Sequence, residues 1–516
     1  MPLEEPDQVF RNDAGVLEVT LTASTETIDV SGSPLGARPF TASAGGQTFP
    51  AKLNGPTLHV RPGDTIKVTF VNQLGDGEPT NIHYHGLHVD PTGIGDNVFR
   101  RFADGNTYQS EVTLPENHRL GTYWYHVHYH GNSDGQVMGG LSGLLIVEGL
   151  EQLLPADLRG TTQRQLAFRD VQTDFQVGIG DDRGSITKAP NPNRPSIRLV
   201  NGLYQPTFSK ESGQYELWRL ANIGSDVFYR IQFVNGLHPE NPEDLFVAAE
   251  GGVPVWDLPP RSELLLPPGQ RFDVLVLGGD PGEYLLQSLP YAQHADGNLN
   301  PLPVPTETET LATVTVAAAA PGVAQAPALP DGLVPEEGLS LSDPAVINAL
   351  SGTDEVVKRG PFVFDYRSNP FRAVINGVAF TEGMTPAVSP VLNTVEEWTL
   401  ENATSDDHPF HIHVNDFQVM SVNGQPYDAS GLQDVVNIPK RYRNESGEVV
   451  NGQVVIRTEF TDFTGWFVYH CHILNHEDAG MMATIQVRAN ATDPITPPPT
   501  GVAVHGSITR NTPGGP

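Results

Sequence analysis

"GWFVYHCH", residues 465–472, is one of three versions of the same octad in this chain. The others are "GTYWYHVH" at 121–128 and "GEYLLQSL" at 282–289. Aligned on their glycines, His470 and His472 match His126 and His128, where the middle version has Gln287 and Leu289. Val127 and Ser288 stand at the position of Cys471, the one cysteine of the chain. The same strand-like run is therefore repeated, with imidazoles in the outer versions and none in the middle one.

A second repeat lies upstream of each octad. "NGPTLHVRPGDTIKVTFVN" (54–72), "NGLYQPTFSKESGQYELWRLAN" (201–222) and "INGVAF…EEWTLEN" (375–402) each begin near Asn-Gly and close on an alternating strand that ends in Asn. Runs such as "TIKVTFVN" (65–72), "RFDVLVLG" (271–278) and "VVIRTEF" (454–460) are short and are separated by Gly, Pro, Asn and Asp. That is β periodicity, and no long stretch has helical spacing. The pattern predicts an all-β chain of three consecutive copies of one β-sandwich. The expected units are 1–155, 156–318 and 346–495. An Ala/Pro-rich linker at 319–345 separates the second from the third, and a mobile tail covers 496–516.

Composition narrows the function. The 516 residues carry a formal net charge of −31 and only six lysines, which argues against a nucleic-acid partner. No apolar run approaches the roughly 20 residues of a membrane span. The start, "MPLEEPDQVFRND", lacks the basic and apolar regions of a signal peptide. A secreted or periplasmic protein whose signal is absent from this chain is expected, with a cytoplasmic location left open; a monomer is expected. A single cysteine allows no intrachain disulfide, so the thiol is either a small buried hydrophobe or a chemical group. The Asn-X-Ser/Thr triplets at Asn402, Asn444 and Asn490 are short enough to arise by chance.

The histidines decide between those readings. Ten of the 17 fall in four clusters within the outer units: "HYH" (83–85), "HVH" (126–128), "HPFHIH" (408–413) and "HCHILNH" (470–476). Histidines two apart on a strand share a face, so paired strands can surround several metal ions. Cys471 points away from His470 and His472 and belongs to a different metal. A blue-copper site takes two histidines, one cysteine and a weak axial methionine; His408, Cys471, His476 and Met481 supply that set. Structural zinc needs only four ligands and usually several cysteines, so copper is the better fit.

With those motifs the sequence resembles the three-domain multicopper oxidases, in the laccase-like form of bacteria or archaea, over nearly its whole length. The resemblance implies three cupredoxin-like Greek-key β-barrels and four copper ions. His408, Cys471, His476 and Met481 would hold the type 1 copper, and His83 and His411 the type 2 copper. His85, His126, His128, His413, His470 and His472 would hold the type 3 pair. It further implies that phenols or aromatic amines deliver electrons through His476 and Cys471, and that O₂ is reduced to water at the other three ions. A metal-ion (Cu⁺, Fe²⁺ or Mn²⁺) or bilirubin oxidase is the alternative, and a copper-binding cupredoxin without turnover a third. Six methionines are too few for the Met-rich segment of copper-detoxifying relatives. Glu477 resembles the proton donor of bacterial relatives. Asp96 is either a second acid near the type 2 copper or a turn-forming aspartate. His88, His118 and His130 lie near the motifs but outside the ligand positions, and His130 is a candidate hydrogen-bond partner of a ligand. His59, His238, His294 and His505 belong to no motif and are read as structural or exposed.

Overall fold

The computed structural model describes residues 1–173, 185–187, 196–320, 329, 332–333, 350, 355–427 and 431–499. Most of the expected linker at 319–345, the tail from residue 500 and His505 lie outside them. The rest is a succession of three two-sheet β units.

In the first unit one sheet runs Gln8–Phe10, Gly55–Val60, Ser142–Val147, Gly121–His126, His83–His85. Its companion runs Thr107–Thr113, Thr65–Gln73, Val16–Ser24, Phe40–Ala44, Gln47–Lys52. In the third unit the octad strand Gly465–Cys471 lies between His408–Ile412 and Met482–Val487. The middle octad, Gly282–Ser288, is likewise interior to its sheet. The companion sheets repeat one chirality-sensitive feature. Val16–Ser24 pairs parallel with Thr65–Gln73, Thr162–Val171 with Tyr215–Asn222, and Val356–Ser368 with Thr394–Asn402.

Alternation builds the cores. Ile66, Val68 and Phe70 point inward from Thr65–Gln73, and Trp398 and Leu400 from Thr394–Asn402. Tyr215–Asn222 departs from that pattern and is buried along its whole length. Its second face is covered by the first unit, where Ala221 and Ile223 pack with Trp124 and Leu144.

The asparagine that ends each repeat does one job three times. The Asn72 amide donates to Glu78 O and Phe102 O, while its oxygen accepts from Leu74 N. Asn222 donates to Val227 O and Leu266 O and accepts from Gly224 N. Asn402 donates to Asp406 O and Ile438 O and accepts from Thr404 N. All three are fully buried, so each side chain satisfies backbone groups that water cannot reach. Asn402 is thereby occupied inside the third unit, and its glycosylation-like triplet is a packing feature.

Candidate metal centre

The strand registers assemble the histidines. His83 lies opposite His126 across one antiparallel pair, and His411 opposite His470 across another. Residues two apart share a strand face, which adds His85 to the first pair; His128, His413 and His472 follow just beyond their strands. Eight imidazoles from the outer units thus meet, each at most 1% exposed. The His83 ring stacks on His413 and the His85 ring on His411, both at 3.9 Å between centroids. His470 Nε2 stands 3.1 Å from His128 Nε2 and 3.3 Å from His413 Nε2, and His472 Nε2 stands 3.1 Å from His85 Nδ1.

The outer ring nitrogens fix the protonation. His126 Nδ1 donates to Val127 O, His470 Nδ1 to Cys471 O and His411 Nδ1 to Asp434 O. A carbonyl only accepts, so the proton sits on that outer nitrogen and the inner one carries a lone pair. His83 Nδ1 donates in the same sense to Asp96, at 2.9 Å. The inner Nε2 atoms of His83, His126 and His411 are buried without a hydrogen-bond partner. Burial holds the rings neutral, pushing His126 down to about 3 and His470 to about 4. Converging buried lone pairs suit a cation, and neutral imidazoles are what a transition metal binds.

A second, smaller set lies in the core of the third unit. Cys471 Sγ stands 3.4 Å from His408 Nδ1 and 3.7 Å from His476 Nδ1, and those nitrogens are 3.2 Å apart. Met481 is buried in the same cluster; Cys471 N donates to its carbonyl. Cys471 faces this core while His470 and His472 face the eight-histidine set, as alternation along the strand demands.

The two acids expected from sequence both lie against histidines of the first set. Asp96 is not a turn residue alone: its carboxylate accepts from His83 Nδ1 and from Tyr84 N at 3.0 Å, and burial raises it to about 8. Glu477 is fully buried, 3.5 Å from both His128 Nδ1 and His470 Nδ1, and accepts from Ser133 Oγ at 3.1 Å. Burial likewise pushes its carboxyl well above the usual range. The adjoining Asp478 accepts from Gly131 N, Ser133 N and Asp134 N, capping the helix Ser133–Met138 of the first unit from the third.

Other histidines sort differently. His130 bonds to no ligand; it sits edge-on to Phe380, with Nδ1 buried and unpartnered. His118 Nε2 accepts from His88 N, and His88 Nε2 meets Asp462 at 2.9 Å, so both line a cavity of about 260 Å³ between the outer units. His59 stacks on Phe10, and His238 is exposed beside Glu240. His294 is partly exposed and hydrogen-bonded near the second set, in keeping with its reading as structural or exposed. Its Nδ1 lies 3.1 Å from Asp406 Oδ1; Tyr366 O–H donates to Asp406 Oδ2 at 2.7 Å, and the Tyr366 oxygen stands 3.1 Å from His476 Nε2. Burial alone would raise the Asp406 carboxyl, but the hydrogen bonds from His294 and Tyr366 outweigh it and hold the group below its ordinary range. Asp434, Arg271 and Gly269 also reach the eight-histidine set unannounced by any motif. Arg271 and Gly269 come from the unit whose octad carries no histidine.

Two family models described as multicopper oxidase match residues 41–152 and 353–491, the segments that carry all ten clustered histidines. A multicopper oxidase of Staphylococcus haemolyticus is 26% identical over 447 residues, covering 85% of this chain and 83% of its own. The multicopper oxidase of Campylobacter jejuni, described as a metallo-oxidase, superposes with a TM-score of 0.72 at 22% identity, covering 94% of this chain and 95% of its own. The chain belongs to the multicopper oxidase family. A laccase of Bacillus stratosphericus is 25% identical over 505 residues, 85% of this chain and 90% of its own. As a multicopper oxidase the chain is an oxidoreductase that uses copper, O₂ and a reducing substrate, on cupredoxin-like units. The donor sets fit that metal: imidazole and thiolate with a buried methionine at one set, imidazole alone at the other. No helix among the described residues is long and apolar enough to cross a membrane.

Proposed function

We propose that this oxidase is of the laccase type, oxidising phenols or aromatic amines with four copper ions per chain. His408, Cys471, His476 and Met481 would hold the type 1 ion, and His83 with His411 the type 2 ion. The triads His85, His126, His472 and His128, His413, His470 would hold the type 3 pair. When bound, copper supplies one-electron chemistry, taking electrons singly at the first site and giving four, with four protons, to O₂ at the others to make two waters.

The chain's own residues arrange the rest. Cys471 is peptide-bonded to His470 and His472, so the covalent path between the two donor sets is one residue long. The body of the third unit keeps water from Cys471, which is fully buried. Glu477 and Asp96, each against the outer nitrogen of a ligand, are the groups placed to pass protons inward.

The observation that carries the substrate reading is the edge of His476. Its Nε2 meets the Tyr366 hydroxyl, and Tyr366 is bonded to Asp406, whose low carboxylate is partly exposed beside His294. Phenols and aromatic amines carry O–H and N–H donors, and the partly exposed, ionised Asp406 carboxylate offers them a hydrogen-bond acceptor beside His476. The same Asp406–His294 pair favours a second reading, a metal-ion oxidase, because carboxylate and imidazole also suit a divalent cation.

A substrate panel on the copper-loaded protein separates these. Oxygen uptake should be fastest with methoxyphenols and aromatic amines. Faster turnover of Fe²⁺, Cu⁺, Mn²⁺ or bilirubin would overturn the laccase reading. A fully loaded protein that consumes no O₂ with any donor would leave only copper binding.

A further inference from the structure

The middle unit carries no octad histidine, yet it reaches the eight-histidine set through Gly269, packed against His85 and His472, and through Arg271, bonded to Asp434. Arg271 is fully buried; its Nη1 donates to Asp434 Oδ1 at 2.7 Å and to Gly269 O at 3.0 Å, and its Nε to Thr122 O at 3.1 Å. Asp434 in turn touches one histidine of each outer unit. Its carbonyl accepts from His411 Nδ1 at 2.7 Å, and its Oδ2 stands 3.5 Å from His85 Nε2.

His85 is the inverted member of the set. The other seven rings turn Nε2 toward the centre or Nδ1 toward an outer acceptor, whereas His85 presents Nδ1 to His472 Nε2. The ring proton of a ligating His85 would then sit on Nε2, which has no hydrogen-bond partner in the structure; Asp434 Oδ2, equally unpartnered, lies 3.5 Å from it. Packing closes the arrangement on both sides. A Cβ on Gly269 would lie 3.0 Å from His85 Cε1 and 3.2 Å from His472 Cδ2, and one on Gly86 would collide with Asp434 Oδ2 and Arg271 Nη2. Both glycines have positive φ, +87° and +82°, so backbone alone can occupy those places. A simple cross-link between units would also put Arg271 on Asp434. It does not account for the second carboxylate oxygen aimed at the one ring that is turned round.

We propose that Arg271 is a positioning residue of the metal centre, acting through Asp434 to hold His85 in its inverted orientation with the proton on Nε2. The ligandless unit thereby completes the site shared by the outer two. This rests on the assignment of His85 as a copper ligand.

The test uses full-length Arg271→Lys and Arg271→Gln, with copper binding as readout. Loss of an outer partner of a metal ligand weakens binding roughly 10- to 100-fold. Chelator competition should show that loss at the eight-histidine set in Arg271→Gln, with altered electron paramagnetic resonance of the type 2 ion. The blue absorption of the type 1 ion should be unchanged, and Arg271→Lys should recover binding in part. Wild-type copper affinity and spectra in Arg271→Gln would overturn the proposal. So would parallel loss of the blue band, which is a folding effect; if Arg271→Gln does not fold, Arg271→Lys decides on the same readouts. Wild-type protein that binds copper only at the blue centre would instead overturn the four-copper reading.

Discussion

Cys471 stands where two chemistries divide. Its side chain turns into the third unit's core, and burial raises the thiol well above its ordinary range in the metal-free chain. A thiol so disfavoured as an anion becomes a thiolate only when a cation supplies the compensating charge. Cys471→Ser should therefore abolish the blue absorption entirely while the eight-histidine set still binds copper, as counted by metal analysis and paramagnetic resonance. A blue band that survives the substitution would remove Cys471 from the site. This residue and the ten clustered histidines are legible in sequence because spacing by two residues maps directly onto one strand face. Tyr366, Asp406 and His294 are not, since they come from separate segments and meet only through packing at His476.

At the scale of elements, the repeated strand and its closing asparagine define the unit. Asn72, Asn222 and Asn402 each make the same three hydrogen bonds in a dry site. Replacing any of them by Ala strands two carbonyls and one N–H. The expected cost is about 3 kcal/mol in each unit, from roughly 1 kcal/mol per bond lost. Urea unfolding of the three variants checks this, and a loss well below 1 kcal/mol at any position would show that its corner is not structural. The Asn-ended alternating strands made the three-unit fold readable. Among these three strands, alternation of burial fails in Tyr215–Asn222, whose outer face is covered by Trp124 and Leu144 of the first unit. Burial by another unit leaves no periodic trace in the strand that is covered.

Across the whole molecule, the outer units share one site and the middle unit braces it. Asp478 of the third unit caps a helix of the first, and Arg271 of the second reaches Asp434 of the third. Such contacts explain why the clustered histidines could be named from sequence while their supports could not. "HxH" pairs are local, whereas Arg271 sits in "RFDVLVLG", which reads as an ordinary strand. On the proposed function, the three units together collect single electrons until O₂ can be fully reduced. Anaerobic reductive titration of the copper-loaded protein tests this most directly, by counting electrons accepted per chain and then admitting O₂. Four equivalents, with the blue colour bleached and then restored by O₂, are predicted. Uptake of one equivalent, or colour that O₂ does not restore, would contradict it.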